Sequence, residues 1–598
     1  MNLRITGSCS IHLDLIQLSS IYMKKRIVFI YFIFSFFTFL SGENAESALS
    51  KKSNEEINFW SNIENTSLSS LLVNKMSDEE LLSQILMFGW AGQEPSDLLN
   101  SWVLQRGLGS VKVFGWNTDD IKKVAKSIKF LQEEAQTRPL KIPLFVATDQ
   151  EGGWIRHVKG TTSETPGNMA IGASGYPIDA YYSGYYINKE IKALGINMNF
   201  APTVDLFTNY DSTIIGTRSF GYDAKTAGIL GEAFSAGSIA AGVIPTAKHY
   251  PGHGDTSLDS HGRLPSISIS RSTFENRELV PFKYLIKADI PAIMSGHLSF
   301  PEIEKDGTPA SLSRYMLIDI LRNKLGFNGL IITDDMMMNG AISFAGNFHT
   351  AISMAIEAGN NIVMSSTTVN LNEAAWKYNL DKMKKDSAFK AIVKDSAQRV
   401  LLAKLNYFKS ENAATLYPDE NTISNFIPDK EGEKFFQEQA CRSITMYRQG
   451  AEFPYKPKDE EKVLLVSPFI KFFEEGKLRY SKAKNYYFSY ELKSDESNFD
   501  VWNASSLVST AWSYDTIIIT VWDKHSLQIA RRLRNMDKKV IIFSLMSPVF
   551  VLSDCDFADT ILCGYSYSDY SFKALFGALN GEFEVQGKLP LERAYNEN

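Results

Sequence analysis

Val243-Ile244-Pro245-Thr246-Ala247-Lys248-His249-Tyr250-Pro251-Gly252-His253-Gly254-Asp255 is an apolar, β-branched run that turns abruptly polar. Residues 243–247 read as a strand. Pro251, Gly252 and Gly254 break any helix or long strand beyond it, so the polar groups are expected on a loop. The segment continues to Asp259-Ser260-His261, placing a lysine, two aspartates and three of the chain's eight histidines within fourteen residues. A polar loop at the end of an apolar strand is where β/α folds place chemistry.

The same unit recurs along the chain. Short apolar runs lie at 85–88, 110–114, 143–147, 197–201, 243–247, 291–294, 330–333 and 361–364. Helix-like patterns such as 119–136 and 224–241 separate them. Alternating strands and helices imply a parallel sheet, and eight such units predict a closed (β/α)8 barrel of the TIM type. Polar residues cluster where the runs end: Asp149-Gln150-Glu151, Pro202-Thr203-Val204-Asp205, Lys248-His249, Ser295-Gly296-His297 and Asp334-Asp335. In a barrel these strand ends converge on one mouth.

The chain has 598 residues, too many for one core. The reading divides it into an N-terminal extension and secretory signal (1–47), a catalytic barrel (58–407), a polar linker with Pro418 and Pro428 (408–432) and a smaller open α/β sandwich domain (433–598). The second domain's strands are expected at 463–466, 486–489, 517–521, 540–544 and 561–563. Lys24-Lys25-Arg26 precedes fourteen uncharged residues, 27–40, a pattern of export that makes Met23 a candidate start. An uncleaved membrane anchor is the alternative. Lys plus Arg total 62 against 68 for Asp plus Glu, which gives no support for nucleic-acid binding. Of the four cysteines, Cys441, Cys555 and Cys563 form no even disulfide set and are expected to be thiols.

Leu330-Ile331-Ile332-Thr333-Asp334-Asp335 puts a carboxylate at a strand's C-terminal end, where it can serve as nucleophile, base or metal ligand. The functional role is assigned to Asp334 and helix capping to Asp335. Asp259 and His261 read as a carboxylate–imidazole pair, able to orient a ring that moves protons. Lys248, His249 and Arg218 supply donors that could grip hydroxyl or acyl oxygens. A metal site from His249, His253, His261 and Asp255 is a competing reading, but the spacing fits no common zinc pattern.

With Asp149-Gln150-Glu151-Gly152-Gly153, the Asn199–Asp205 run, Arg218-Ser219-Phe220-Gly221, the 248–261 loop and Thr333-Asp334-Asp335 in order, the chain resembles glycoside hydrolase family 3 in its β-N-acetylglucosaminidase branch. Gly587-Lys588-Leu589-Pro590 extends the resemblance into the second domain. The resemblance implies Asp334 as nucleophile, His261 as acid/base with Asp259 as its partner, and Asp149, Arg218, Lys248 and His249 as ligands of the terminal sugar. It implies a retaining exo-β-N-acetylglucosaminidase acting on peptidoglycan fragments or chitin-type oligosaccharides, with no metal and no cofactor. Rivals are a phosphate-dependent phosphorylase, a β-glucosidase of the same family and an inactive glycan-binding envelope protein. Two positions depart from the family pattern. His157 stands where an arginine is usual, and Asn361 stands where an aspartate follows Ala358-Gly359; the second was expected to weaken support of the site.

Overall fold

The computed structural model describes residues 57–592 except 213, 261, 371–372, 489–500 and 553. The apolar run 27–40 and His261 therefore lie outside the described residues. Among the described residues no helix is long and apolar enough to cross a membrane.

Eight parallel strands form the first sheet: β1 (Leu86–Phe88), β2 (Ser110–Lys112), β3 (Phe145–Thr148), β6 (Met198–Asn199), β7 (Ile244–Tyr250), β8 (Ala292–Ser295), β9 (Leu330–Thr333) and β10 (Val363–Ser365). Each pairs with its neighbour in chain order, and β10 pairs back onto β1. A parallel bridge between Ile332 and Ile362 closes the ring. A hairpin of β4 (Gln150–Gly152) and β5 (Ile155–Arg156) stands on the mouth after β3. All eight expected runs are strands, so the barrel reading holds.

The barrel strands bury apolar side chains against the helices around them. Ala247, Ile293 and Ile331 join Phe234, Phe282 and Leu321 of the surrounding helices in one buried cluster. Each large side chain so buried contributes roughly 1.5–3 kcal/mol. Helix Ala224–Ala241 shows how the chain punctuates these units. Asp223 accepts the Thr226 N–H at 2.7 Å to start it, and Gly242 ends it at φ 89°, a left-handed turn that glycine adopts without a Cβ penalty.

The second sheet runs β11 (Thr445–Arg448), β16 (Thr560–Cys563), β15 (Lys539–Ser544), β14 (Thr516–Val521), β12 (Val463–Ser467) and β13 (Lys484–Tyr487). All its pairings are parallel except β11 with β16. Strand β11 was not foreseen, because Thr-Met-Tyr-Arg is a short, half-buried edge without an apolar signature. The expected strand 486–489 begins two residues earlier, and its last residue lies outside the described set. Cys555 and Cys563 are buried free thiols and Cys441 is a half-buried one.

This domain grips the barrel at defined points. Arg442 donates to Asp179 through Nη2 at 2.6 Å and Nε at 3.1 Å. The Lys588 N–H donates to the Ala173 carbonyl, while the Gly587 N–H is held within the second domain by the Ile444 carbonyl. Gly221 sits at φ 134° against Pro590, where an added Cβ would come within 2.8 Å of the Pro590 carbonyl. Residues 587–590 thus form a strap over the loop that carries Arg218.

Asn361 does not support the site, contrary to expectation. Its Oδ1 accepts from Arg322 Nη2 at 2.7 Å and from the Ile331 N–H at 3.0 Å. Arg322 also donates to the carbonyls of Phe327 and Gly329, so the cluster lies at the N-terminal end of β9, opposite the mouth. Its partners are all neutral, and burial pushes the guanidinium down to about 10. Asn361→Asp should therefore stabilise the fold by about 1 kcal/mol at neutral pH through a charge-assisted pair. The new carboxyl's pKa would be lowered in the folded state, so the gain should be lost as pH falls through that value. Thermal unfolding at pH 7 and pH 4 checks this; an unchanged or lower melting temperature at pH 7 would refute it.

Candidate active site

The barrel mouth is built on buried ion pairs. Asp149, directly after β3, contacts the ammonium groups of Lys112 from β2 and Lys248 from β7. Lys248 also reaches Glu151 at 2.6 Å. Glu151 accepts a fork from Arg218, Nε at 2.9 Å and Nη2 at 2.8 Å. Burial pushes the Asp149 carboxyl up, but Lys112 and Lys248 outweigh it and hold the group well below its ordinary value. Burial likewise opposes ionisation of Glu151, yet Arg218 and Lys248 hold it at about 2. The carboxylates raise Lys248 in turn against its own desolvation. All these charges stay on because each is matched.

Lys248 and His249 were expected on a loop; they belong to strand β7, which continues to Tyr250. The pairing with β8 slips between Ala247 and Tyr250, while Lys248 exchanges backbone hydrogen bonds with Pro202 and Val204. The strand thus survives beyond its apolar run because the β6 side still holds it.

Behind the cluster lies buried Asp205. It accepts from His249 Nδ1 at 2.6 Å, from the His249 N–H at 3.1 Å and from the His253 N–H at 2.7 Å. Burial raises this carboxyl, but His249 and these donors bring it below its ordinary value. With Nδ1–H committed to Asp205, His249 Nε2 is the acceptor facing Arg218 Nη2 at 3.4 Å. The ring is therefore oriented before any substrate arrives.

Asp334 follows β9 with its backbone N–H bound to the Ser295 carbonyl. One carboxylate oxygen accepts the Asp335 N–H at 2.7 Å. Burial opposes its charge, while His249 and His297 favour it, and the net effect is a lowered pKa. No Lys or Arg forms a salt bridge with Asp334 among the described residues, so its lone pairs are not committed to a cation. Asp335 differs. Its Oδ1 accepts the N–H groups of Met337 and Ser366 at 3.0 and 2.9 Å, tying a turn to the loop after β10. The next helix, Asn339–Ala345, is entered through Met338 without a side-chain cap, so the helix-cap reading of Asp335 gives way to a turn-tethering one.

The remaining candidates occupy the loop after β7. The Asp259 carbonyl accepts from the Gly262 and Arg263 N–H groups. Asp255 is paired with Arg277 at 2.5 Å, and His253 Nε2 lies 3.3 Å from Ser260 Oγ. Burial lowers His253 to about 4, keeping it neutral. The described members of the competing metal reading are thus engaged elsewhere, and among the described residues no three His, Cys, Asp or Glu groups are placed to hold an ion.

Sequence reasoning missed Lys112, gave Glu151 and Asp205 no role of their own, and gave His297 none beyond its strand end. His297 links the mouth by Nδ1 to Ser311 Oγ at 2.7 Å and Nε2 to the Asp335 carbonyl at 3.0 Å. Lys112 had one signal, a charge inside the otherwise apolar run 110–114. It also accounts for the departure at 157. His157 Nδ1 lies 3.5 Å from Asp149, but burial lowers the ring to about 4, so it brings no cation near neutrality. Lys112 supplies the missing charge. Lys112→Met should cost roughly 3–5 kcal/mol of stability by leaving Asp149 undercompensated. Denaturant unfolding checks this, and a loss below about 1 kcal/mol would contradict it.

Comparison with known proteins agrees with this geometry. Residues 77–403 match the family model described as glycosyl hydrolase family 3 N terminal domain. The β-hexosaminidase A of Pseudoalteromonas piscicida is 36% identical over 263 residues, 41% of this chain and 44% of that protein. A β-hexosaminidase of Tolumonas auensis is 36% identical over 262 residues, 43% of this chain and 75% of that one. The solved family 3 β-N-acetylglucosaminidase of Paenibacillus sp. str. FPU-7 superposes with a TM-score of 0.76 at 27% identity, over 86% of this chain and 99% of its own. A β-glucoside phosphorylase at 20% identity and TM-score 0.74 shares the fold alone, over 90% of this chain and 97% of that one. The family match takes in all eight barrel strands and more than half of the chain, and on it this chain belongs to glycosyl hydrolase family 3.

Proposed function

We propose that the chain is a retaining exo-β-N-acetylglucosaminidase that removes terminal GlcNAc from peptidoglycan fragments or chitin-type oligosaccharides. One observation carries the reading: Asp334 is a carboxylate at the mouth whose pKa is lowered and which, among the described residues, forms no salt bridge with a lysine or arginine. The curated relatives named β-hexosaminidase and the solved β-N-acetylglucosaminidase support the sugar. In this reading Asp149, Arg218, Lys248 and His249 hold the terminal ring. The Asp334 carboxylate attacks the anomeric carbon as its bond to the leaving oxygen breaks, and His261 as imidazolium gives that oxygen a proton. The neutral His261, oriented by Asp259, then takes a proton from water. The resulting hydroxide displaces the Asp334 ester, so configuration is retained. The export pattern at 24–40 supports a site of action outside the cytoplasm.

The test is release of an aryl group from β-linked GlcNAc and from β-linked glucose, by wild type and Asp334→Ala, with and without chelator and phosphate. The reading expects GlcNAc-selective release, indifferent to both additions and lowered at least ~10³-fold in the variant. Preference for glucose, or a requirement for phosphate or metal, would contradict it. His261→Ala should spare activated aryl glycosides and cripple chitobiose, and should remove the basic limb of the pH profile on the latter. Equal losses on both substrates would refute the acid role.

A further inference from the structure

Trp116 lies on the 3-10 turn Gly115–Asn117 that follows β2 at the mouth. Half of its surface is exposed, an unusual place for so large an apolar ring. One face is covered by Phe114, stacked at 4.4 Å with planes 4° apart. The indole N–H donates to the Trp90 carbonyl at 2.8 Å, which fixes the ring's rotation. What remains is a rigid, flat, bare aromatic face. Asn117 anchors the same turn by donating to Trp90 and Gly92.

Phe114 ties this turn to the sugar-binding corner. Lys112 Nζ lies 3.7 Å from the centroid of the Phe114 ring and contacts Asp149. His157, at the same carboxylate, tilts against Phe114 at 5.8 Å. From Asp149 to the indole the chain of contacts thus has two links, Lys112 and Phe114. Pyranose rings with equatorial substituents present an apolar face of C–H groups, and a fixed aromatic ring receives such a face at little entropic cost.

We propose that Trp116 is the platform of an adjoining subsite, which stacks the β-linked pyranose next to the terminal sugar. Trp116 is thereby a specificity-determining residue that favours longer glycans over single residues. The proposal rests on the glycosidase reading of the mouth.

Calorimetric titration on the Asp334→Ala background separates the two. GlcNAc and its β-1,4-linked tetrasaccharide are titrated into that chain and into versions also carrying Trp116→Ala or Trp116→Phe. Trp116→Ala should weaken the tetrasaccharide about five- to tenfold and leave GlcNAc unchanged, while Trp116→Phe should lose less than about threefold. Unchanged tetrasaccharide affinity, or an equal loss for the monosaccharide, overturns the platform. If the parent chain binds neither GlcNAc ligand, the sugar assignment fails, and the same titrations with glucose and β-linked glucose oligosaccharides decide the platform. A selective loss for the longer glycan then upholds it, and no selective loss overturns it. A glycosyl fluoride with no ring in its leaving group gives a kinetic counterpart: its kcat/KM should be unaffected by Trp116→Ala in an otherwise wild-type chain.

Discussion

Charge balance in a nearly water-free space governs the mouth of this barrel. Asp149, Glu151 and Asp205 are buried carboxylates, and Lys112, Lys248 and Arg218 are the cations that oppose them. Desolvating any one of these alone would cost several kcal/mol, so each is present only because the others are. They come from β2, the segment after β3, β7 and the loop after β6, and the network therefore also fixes how those strand ends meet. A buried, fully paired network is stiff. That stiffness is what a sugar site needs, since hydroxyl groups are told apart by placement.

Against this background Asp334 stands out by what it lacks. Its neighbours on the mouth are consumed by ion pairs, whereas Asp334 is kept charged by imidazoles, a backbone N–H and the more distant field of Lys248. Such surroundings keep it ionised and leave it able to attack. The second domain contributes from a distance. Its 587–590 strap lies on Gly221, three residues from Arg218, and Arg218 in turn holds Glu151.

Much of this was legible in the sequence, and the reasons are physical. Strand ends such as Thr333-Asp334 could be read because an apolar run that stops at a carboxylate has few structural explanations. Asp149, Arg218, Lys248 and His249 were grouped as sugar ligands by the family resemblance, and the structure brings all four together. Lys112 was hidden because one charge in an apolar strand carries no sign of which distant group it meets. Asp205 looked like one more polar strand end; only its contacts with His249 and His253 give it a task. Asn361 was misjudged because it was weighed by family pattern alone, although it opens the run 361–364 and so lies at the strand end away from the mouth. Trp116 was invisible, since an exposed ring and a core ring read alike in one dimension.

The account turns on Asp334 forming the glycosyl ester. The most direct test is peptide mass spectrometry of the chain after brief reaction with a fluorinated GlcNAc donor that slows ester hydrolysis. The account predicts one added glycosyl mass on the peptide carrying Asp334, with fragmentation placing it there and not on Asp335. A label on Asp335, Asp149 or Glu151, or turnover of the donor with no covalent adduct, would contradict it.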